Sequence, residues 1–174
     1  MKLTPAMERY ILHWGEMGSR WGVNRSVAQI HALLYLSDKP LTADEIVETL
    51  GIARSNVSTS LKELQSWELI ELTHVLGERK DHFEAKTDLW QILLTIAEGR
   101  KRREIDPTVS MMRRVVIEAR DEDEMPKSAR KKMERMLNFM ESLTTWYEQM
   151  SRLPKPVLVR LMKMGAKVAK FAKK

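Results

Sequence analysis

The chain has 174 residues, 43% of them hydrophobic and 31% charged, a composition that supports one or two compact domains with an apolar core. It contains no cysteine, which excludes a disulfide-stapled scaffold, a cysteine nucleophile and a thiolate metal site. The net charge is +6, but the segment after Ser151 holds eight lysines and arginines and no acidic residue, so the remainder is net negative. Overall basicity is therefore no argument that the body of the protein binds nucleic acid.

We expect neither a secretory leader nor a membrane span in this sequence. Glu8 interrupts the N-terminal segment before an apolar stretch develops. No uncharged apolar run approaches the ~20 residues that a bilayer span requires. We therefore expect a cytoplasmic protein with no membrane partner. With only 7 glycines and 6 prolines, the composition favours helices.

Two helices are predicted in the first forty residues. The first covers residues 4–18, with Thr4 as its cap and Pro5 in its first turn. Gly15, Gly18 and Gly22 are expected to weaken its C-terminal end. The second covers residues 25–37, has a mostly buried apolar face and ends at the Asp-Lys-Pro of residues 38–40.

A short, sharply bounded helix follows over residues 42–50. Thr42 and Glu45 have the spacing of a capping box, which satisfies free backbone donors at a helix start. Gly51 suits a left-handed position at the helix end, and residues 54–67 then resume helical periodicity. Two helices joined by a tight turn of this kind predict a helix-turn-helix.

A β-hairpin is predicted directly after the helix-turn-helix, which is the position of a wing. Its strands are residues 69–75 and 82–85, around the polar turn of residues 77–81. The overall expectation is a mainly α fold with a small β-hairpin wing.

The C-terminal half is predicted to be helical. One helix covers residues 87–105, and a second starts with Asp106 and Pro107 as its cap and first position. Residues 121–124 form an acidic connector, which either binds a cation weakly or is simply solvated. A third helix opens at Pro126, and its apolar residues repeat at near-heptad spacing. They are Met133, Met136, Met140, Leu143, Tyr147 and Met150.

The last helix, after Pro154 and Pro156, has an apolar and a basic face. The apolar stripe consists of Leu158, Leu161, Gly165, Val168 and Ala172. The basic side consists of Arg160, Lys163, Lys167, Lys170 and Lys174. Three roles fit it: a dimer interface with a solvated back, a second contact with the DNA backbone, or a membrane-surface helix.

Residues 54–66 carry the strongest functional signal. If the apolar stripe faces the core, the helical period puts small hydroxyls and one cation on the opposite face. Small polar side chains let a helix lie deep in a major groove, and a basic hairpin tip can reach the backbone or the minor groove. The alternatives are an ordinary solvated face and a solubilising turn. The expected DNA-contacting residues are Arg54, Ser55, Asn56, Ser58, Thr59 and Lys62 on the helix, and Arg79 and Lys80 on the wing.

Signals of catalysis are missing from the sequence. The four histidines are far apart without the spacing of metal ligands, and no nucleophile elbow, phosphate-binding glycine loop or HExxH motif occurs. We therefore expect a protein that is not an enzyme and that uses no cofactor or metal.

The helix-turn-helix and the wing resemble the GbsR branch of the MarR superfamily of bacterial and archaeal regulators. The resemblance rests on residues 43–64 (ADEIVETLGIARSNVSTSLKEL), on Trp67 and on residues 77–83 (GERKDHF). It implies a winged-helix homodimer that binds a pseudo-palindromic operator, usually as a repressor, with the terminal helices in the dimer interface. Typical wings of the superfamily carry Asp-x-Arg, whereas this wing has Glu-Arg-Lys-Asp at residues 78–81.

This resemblance and the element pattern suggest three regions. Residues 1–24 form an N-terminal helix that contributes to the dimer interface, residues 25–87 the winged helix-turn-helix domain, and residues 88–174 a helical dimerisation region with a basic C-terminal helix. The leading hypothesis is a homodimeric, sequence-specific repressor. The alternative is a winged-helix protein-interaction module that does not bind DNA and has a basic, membrane-surface tail.

The resemblance also suggests a regulated operon and an effector. Branch members include regulators of compatible-solute uptake and synthesis, and some sense choline-like molecules. Trp14, Trp21 and Tyr147 are candidate walls of an aromatic cage for a quaternary ammonium ion, because aromatic faces attract such cations. Ordinary core packing is the alternative for these aromatics.

Overall fold

The computed structural model describes residues 1–165 and 167. The chain divides into two compact units, Met1–Ile96 and Ala97–Lys174. Among the described residues, no helix has both the length and the apolar content needed to cross a membrane.

The first unit combines helices with a small antiparallel sheet. Its elements are α1 (Pro5–Arg20), α2 (Arg25–Leu36), β1 (Leu41–Thr42), α3 (Ala43–Leu50), α4 (Arg54–Ser66), β2 (Ile70–Thr73), β3 (His82–Ala85) and the first part of α5 (Leu89–Arg100). The strand order is β1-β3-β2. The predicted helix-turn-helix and hairpin wing are confirmed, and the fold is a winged helix. Sequence periodicity missed β1, because two residues are too few to show a pattern.

One apolar core holds the first unit together. Its fully buried side chains come from α2, β1, α3 and α4, so the helix-turn-helix and the sheet share one packed centre. They are Ile30, Leu33, Leu41, Ile46, Val57 and Leu64. The exposed side of α4 is therefore held by packing on its opposite side.

α1 continues through Gly15 and Gly18 to Arg20. The expectation that these two glycines weaken the end of the helix was therefore wrong. A β-carbon at Gly15 would lie 2.7 Å from Cγ of Gln29, and one at Gly18 only 2.5 Å from the β-carbon of Ala28. Both contacts are with α2. The glycines thus permit a close approach of the two helices that larger residues would prevent.

The second unit is helical in its described part. α5 passes through a π-helical turn (Lys101–Ile105) into α6 (Asp106–Glu118), and α7 (Lys127–Ser151) and α8 (Lys155–Met164) follow. α6 starts within one residue of the predicted position, but Asp106 is not its cap, because Asp106 already has helical dihedrals, φ −61° and ψ −43°. Pro107 removes one helical hydrogen bond, and the π-helical turn just before it is where the hydrogen-bond register changes.

α7 has two apolar faces where the sequence predicted one near-heptad stripe. Met133, Leu137 and Met140 pack against Val109 and Val116 of α6. A second stripe is exposed and consists of Met136, Phe139, Leu143 and Trp146. The predicted single stripe mixed these two faces, because apolar residues at both 3- and 4-residue spacing occur on each.

α8 begins at Lys155, so Pro156 lies in its first turn and not before the helix as predicted, and Leu158 is buried. Of the predicted tail faces, Val168, Ala172, Lys170 and Lys174 lie outside the described residues.

Candidate nucleic-acid interface

A capping box sets the angle at which α3 leaves the sheet. The Thr42 hydroxyl accepts a hydrogen bond from the Glu45 backbone N–H at 3.2 Å, and the Thr42 N–H donates to Glu45 Oε2 at 2.7 Å. This backbone hydrogen bond holds the pKa of Glu45 below its usual value, with Lys39 contributing. Thr42 is also in β1, which pairs with β3, so the start of α3 is fixed to the wing sheet.

The turn between α3 and α4 is made by Gly51. Its φ of 63° lies in the left-handed region, where glycine has no side-chain clash, and its N–H donates to the Val47 carbonyl at 2.9 Å. α4 then starts at Arg54, and no side chain of the described chain caps it. Its first backbone N–H groups are thus not blocked by a cap, which suits an anion such as phosphate.

α4 has one buried and one exposed face. Val57, Ser60, Leu61 and Leu64 are buried, in line with the predicted apolar stripe. The predicted contact residues Arg54, Ser55, Asn56, Thr59 and Lys62 are exposed, and Ser58 is half-buried on the flank. The helix therefore presents a face of small polar side chains with one cation at each end.

The wing is fixed to the helix-turn-helix at its base. β3 pairs with β1 on one side and with β2 on the other, with Thr73 opposite His82. The His82 Nδ1 lies 2.9 Å from the Lys80 carbonyl, and its Nε2 lies 3.0 Å from Glu78 Oε2. These contacts order the segment that carries the basic residues.

The outer end of the wing differs from its base. Gly77 has a φ of 87°, and the neighbouring Leu76 is fully exposed. Arg79 is exposed too, and it makes no ion pair within residues 1–165 and 167. Arg79 is thus available at the surface, whereas Lys80 is held.

Asp44, in the first turn of α3, joins two of the four basic residues of the interface. Its Oδ1 accepts a hydrogen bond from Arg54 at the start of α4. Its Oδ2 accepts one from Lys80 of the wing at 2.9 Å. The three side chains, with Lys62, line a cavity of about 380 Å³ between α3, α4 and the wing. The structure thus brings together predicted residues from two elements and adds an acidic residue between them.

Sequence reasoning missed the role of Asp44. An acidic residue in the first turn of a helix is common, because it interacts favourably with the helix dipole. Its partners lie 10 and 36 residues further along the chain, and no local pattern links residues at such separations.

The three aromatic candidates are divided between the two units, with Trp14 and Trp21 in the first and Tyr147 in the second. Trp14 is half-buried against the core of the first unit and stacks on Tyr10, with ring centroids 5.6 Å apart and planes at 14°. Trp21 follows α1 and is exposed. Tyr147 is in α7 of the second unit, where burial and Glu98 raise its pKa. One face of Trp14 is therefore already used for packing within its own unit.

A metal site was not expected. Within the described part of the chain, no cluster of three or more His, Asp or Glu side chains is arranged to hold a metal ion. Of the histidines, His82 has the polar contacts given above, and His31 is buried in α2.

Comparison with known proteins matches part of the chain to the model of one family. Residues 21–80 match the model of the MarR family. The transcriptional repressor OpcR of Bacillus subtilis (strain 168) is 22% identical over 151 residues, which cover 85% of this chain and 82% of that protein. The transcriptional repressor GbsR of the same strain is 23% identical over 140 residues, 79% of this chain and 77% of that protein.

The fold has a solved counterpart. A crystal structure described as that of a transcriptional regulator aligns over 91% of this chain and 99% of its own, with a TM-score of 0.68. The sequence identity is 14%, so this likeness concerns the fold.

Proposed function

We propose that this chain, whose residues 21–80 match the model of the MarR family, is a sequence-specific, DNA-binding transcriptional regulator of that type. The observation that carries the proposal is the exposed face of α4, with Ser55, Thr59 and Lys62, beside a wing with Arg79 at its surface. The packed core behind α4 holds this face in one orientation.

The two parts of the interface have different tasks in this proposal. Short hydroxyl side chains let α4 approach the base edges in the major groove, where Lys62 donates to acceptors such as those of guanine. Arg79 contacts the phosphate backbone or the minor groove from the wing. The helix then provides base readout, and the wing provides affinity that does not depend on sequence.

The test compares two substitutions on two kinds of DNA. The binding site is first obtained by selecting genomic fragments that the wild-type protein retains. Lys62→Ala should lower affinity for the selected site by ~1–3 kcal/mol and change its base preference. Arg79→Ala should lower the affinity for the selected site and for a random duplex by the same factor. It should also reduce the slope of log affinity against log salt concentration by ~0.9.

A matched control separates these effects from a general loss of positive charge. Lys132→Ala removes one exposed cation from α7 of the second unit and should leave base preference unchanged. If Lys62→Ala and Arg79→Ala leave both affinities at the wild-type value, the assignment of the interface is wrong. A wild-type affinity for random duplex that does not change with salt would favour a protein-interaction module instead.

We also propose that the protein acts as a homodimer. Support comes from the exposed stripe of α7, in which Met136, Phe139, Leu143 and Trp146 follow the 3- and 4-residue spacing of helices that pair. A long helix with an apolar stripe on its outer side is typical of a surface that a second copy covers. Two-fold symmetry would suit a pseudo-palindromic operator with half-sites ~34 Å apart.

The remaining parts of the proposal concern regulation in the cytoplasm. We propose that the protein is a repressor, which the similarity to repressors supports. Control of a compatible-solute operon and a quaternary ammonium effector follow from the resemblance of the helix-turn-helix and wing. Trp14, Trp21 and Tyr147 are the proposed cage residues, since an ion without N–H donors is held mainly by aromatic faces.

A further inference from the structure

We propose that Asp44 is a specificity-determining residue of the DNA interface, which acts by occupying two cations that would otherwise bind any phosphate. The inference rests on the proposed DNA-binding function. It concerns a residue outside the faces that read bases, and it assigns that residue a role in rejecting incorrect DNA.

The first step is the position of Asp44. The capping box uses the neighbouring Glu45 for the helix start, so the Asp44 carboxylate is not needed there. It turns towards α4 and the wing, and its two oxygens accept from different partners, Arg54 and Lys80. One carboxylate thus links the leading end of the recognition helix to the base of the wing.

The second step is that these contacts are poorly suited to stabilising the fold. The side chains of Asp44, Arg54 and Lys80 are 53%, 56% and 65% exposed. Ion pairs with this exposure contribute little to stability, because water screens them. The same exposure places all three groups where a phosphate would arrive, so the pairs affect binding more than folding.

The third step is the difference between correct and incorrect DNA. Non-specific binding depends almost entirely on cations that neutralise phosphates. While Arg54 and Lys80 are paired with Asp44, non-specific binding either lacks their phosphate contacts or has to break the two ion pairs. At the correct site the base contacts of α4 provide the attraction, and Arg54 and Lys80 remain positioned by Asp44. The carboxylate therefore weakens binding to random DNA more than binding to the operator.

The test is Asp44→Asn in the full chain, measured on a random duplex and on the selected site across a salt series. Affinity for the random duplex should rise about three- to tenfold, and its salt slope should steepen by ~0.9 for each cation released. Affinity for the selected site should change less than twofold. Asp44→Glu, which keeps the charge, should retain most of the wild-type discrimination.

Asp81→Asn is the matched control. Asp81 lines the same cavity and is exposed, but it makes no ion pair within the described part of the chain. Its substitution removes the same charge and should change the random affinity less, with an unchanged salt slope. A second control introduces Asp44→Asn into the double variant Arg54→Gln, Lys80→Gln, where it should act no more strongly than Asp81→Asn.

The outcomes distinguish this inference from the proposed function. Equal effects of Asp44→Asn and Asp81→Asn, or equal gains on random and selected DNA, would refute the role of Asp44 while DNA binding stands. A wild-type protein that binds neither duplex would refute the proposed function, and the inference with it.

Discussion

Acidification should destabilise the first unit through His31. This side chain is 6% exposed in α2, and its Nε2 is buried with no hydrogen-bond partner within the described residues. Burial disfavours the charged imidazolium and lowers the pKa of His31 from 6.5 to about 4. Above pH 6.5 the ring is neutral in both the folded and the unfolded chain, so it causes no loss of stability.

The magnitude follows from the two pKa values. As the pH falls below 6.5, the unfolded chain binds a proton that the folded chain does not, and stability is lost until the pH reaches about 4. Between pH 7 and pH 5 the free energy of unfolding should fall by about 2 kcal/mol, and the full loss at lower pH should approach about 3 kcal/mol.

The assay is urea unfolding at pH 7 and pH 5, because contributions from other groups cancel between variants. His31→Leu has a similar volume and no titrating group, so it should lose about 2 kcal/mol less than the wild type between the two pH values. His13→Leu, at an exposed position of α1, should behave like the wild type. Parallel losses in the wild type and in His31→Leu would refute the reasoning, because they would mean that His31 takes up its proton without unfolding.

Two further predictions test assembly and regulation. Trp146→Glu puts a charge into the exposed stripe of α7 and should give a monomer in sedimentation. Thr145→Glu, on another exposed side of the helix, should leave the dimer intact. A stable Trp146→Glu dimer at micromolar concentration would contradict the proposed interface. In calorimetry, the wild-type protein should bind choline or glycine betaine, and Trp21→Ala should lose ~0.5–2 kcal/mol of the binding free energy. If neither solute gives heat at millimolar concentration, these aromatics are ordinary packing and surface residues.

The parts of the fold that the sequence predicted best are those with local chemical signals. Thr42 and Glu45 are three residues apart, so the capping box is visible in the sequence and marks the start of α3. Gly51 similarly marks its end. The recognition face of α4 follows from the period of Val57, Leu61 and Leu64, since a helix with a buried stripe has only one opposite side.

The glycines of α1 show where local reasoning reaches its limit. By helix propensity Gly15 and Gly18 weaken a helix, and that cost is real for an isolated segment. Their benefit depends on α2, because a β-carbon at Gly18 would lie only 2.5 Å from the β-carbon of Ala28. The sequence around a glycine does not show which residue of another helix packs against it. The helix therefore extends past the point at which propensity alone would end it.

The interface shows the same limit with a functional consequence. In the sequence, Arg54 and Lys80 are two similar basic residues in or near a recognition helix, and both were expected to contact DNA directly. Their shared contact with Asp44 arises only because β1 fixes the start of α3 to the wing sheet, while the Gly51 turn brings the start of α4 to the same place. The exposed Arg79, by contrast, has no such link in the described residues. Positive side chains near a DNA-binding helix therefore divide into those held by the protein and those open to phosphate, and the division depends on tertiary structure.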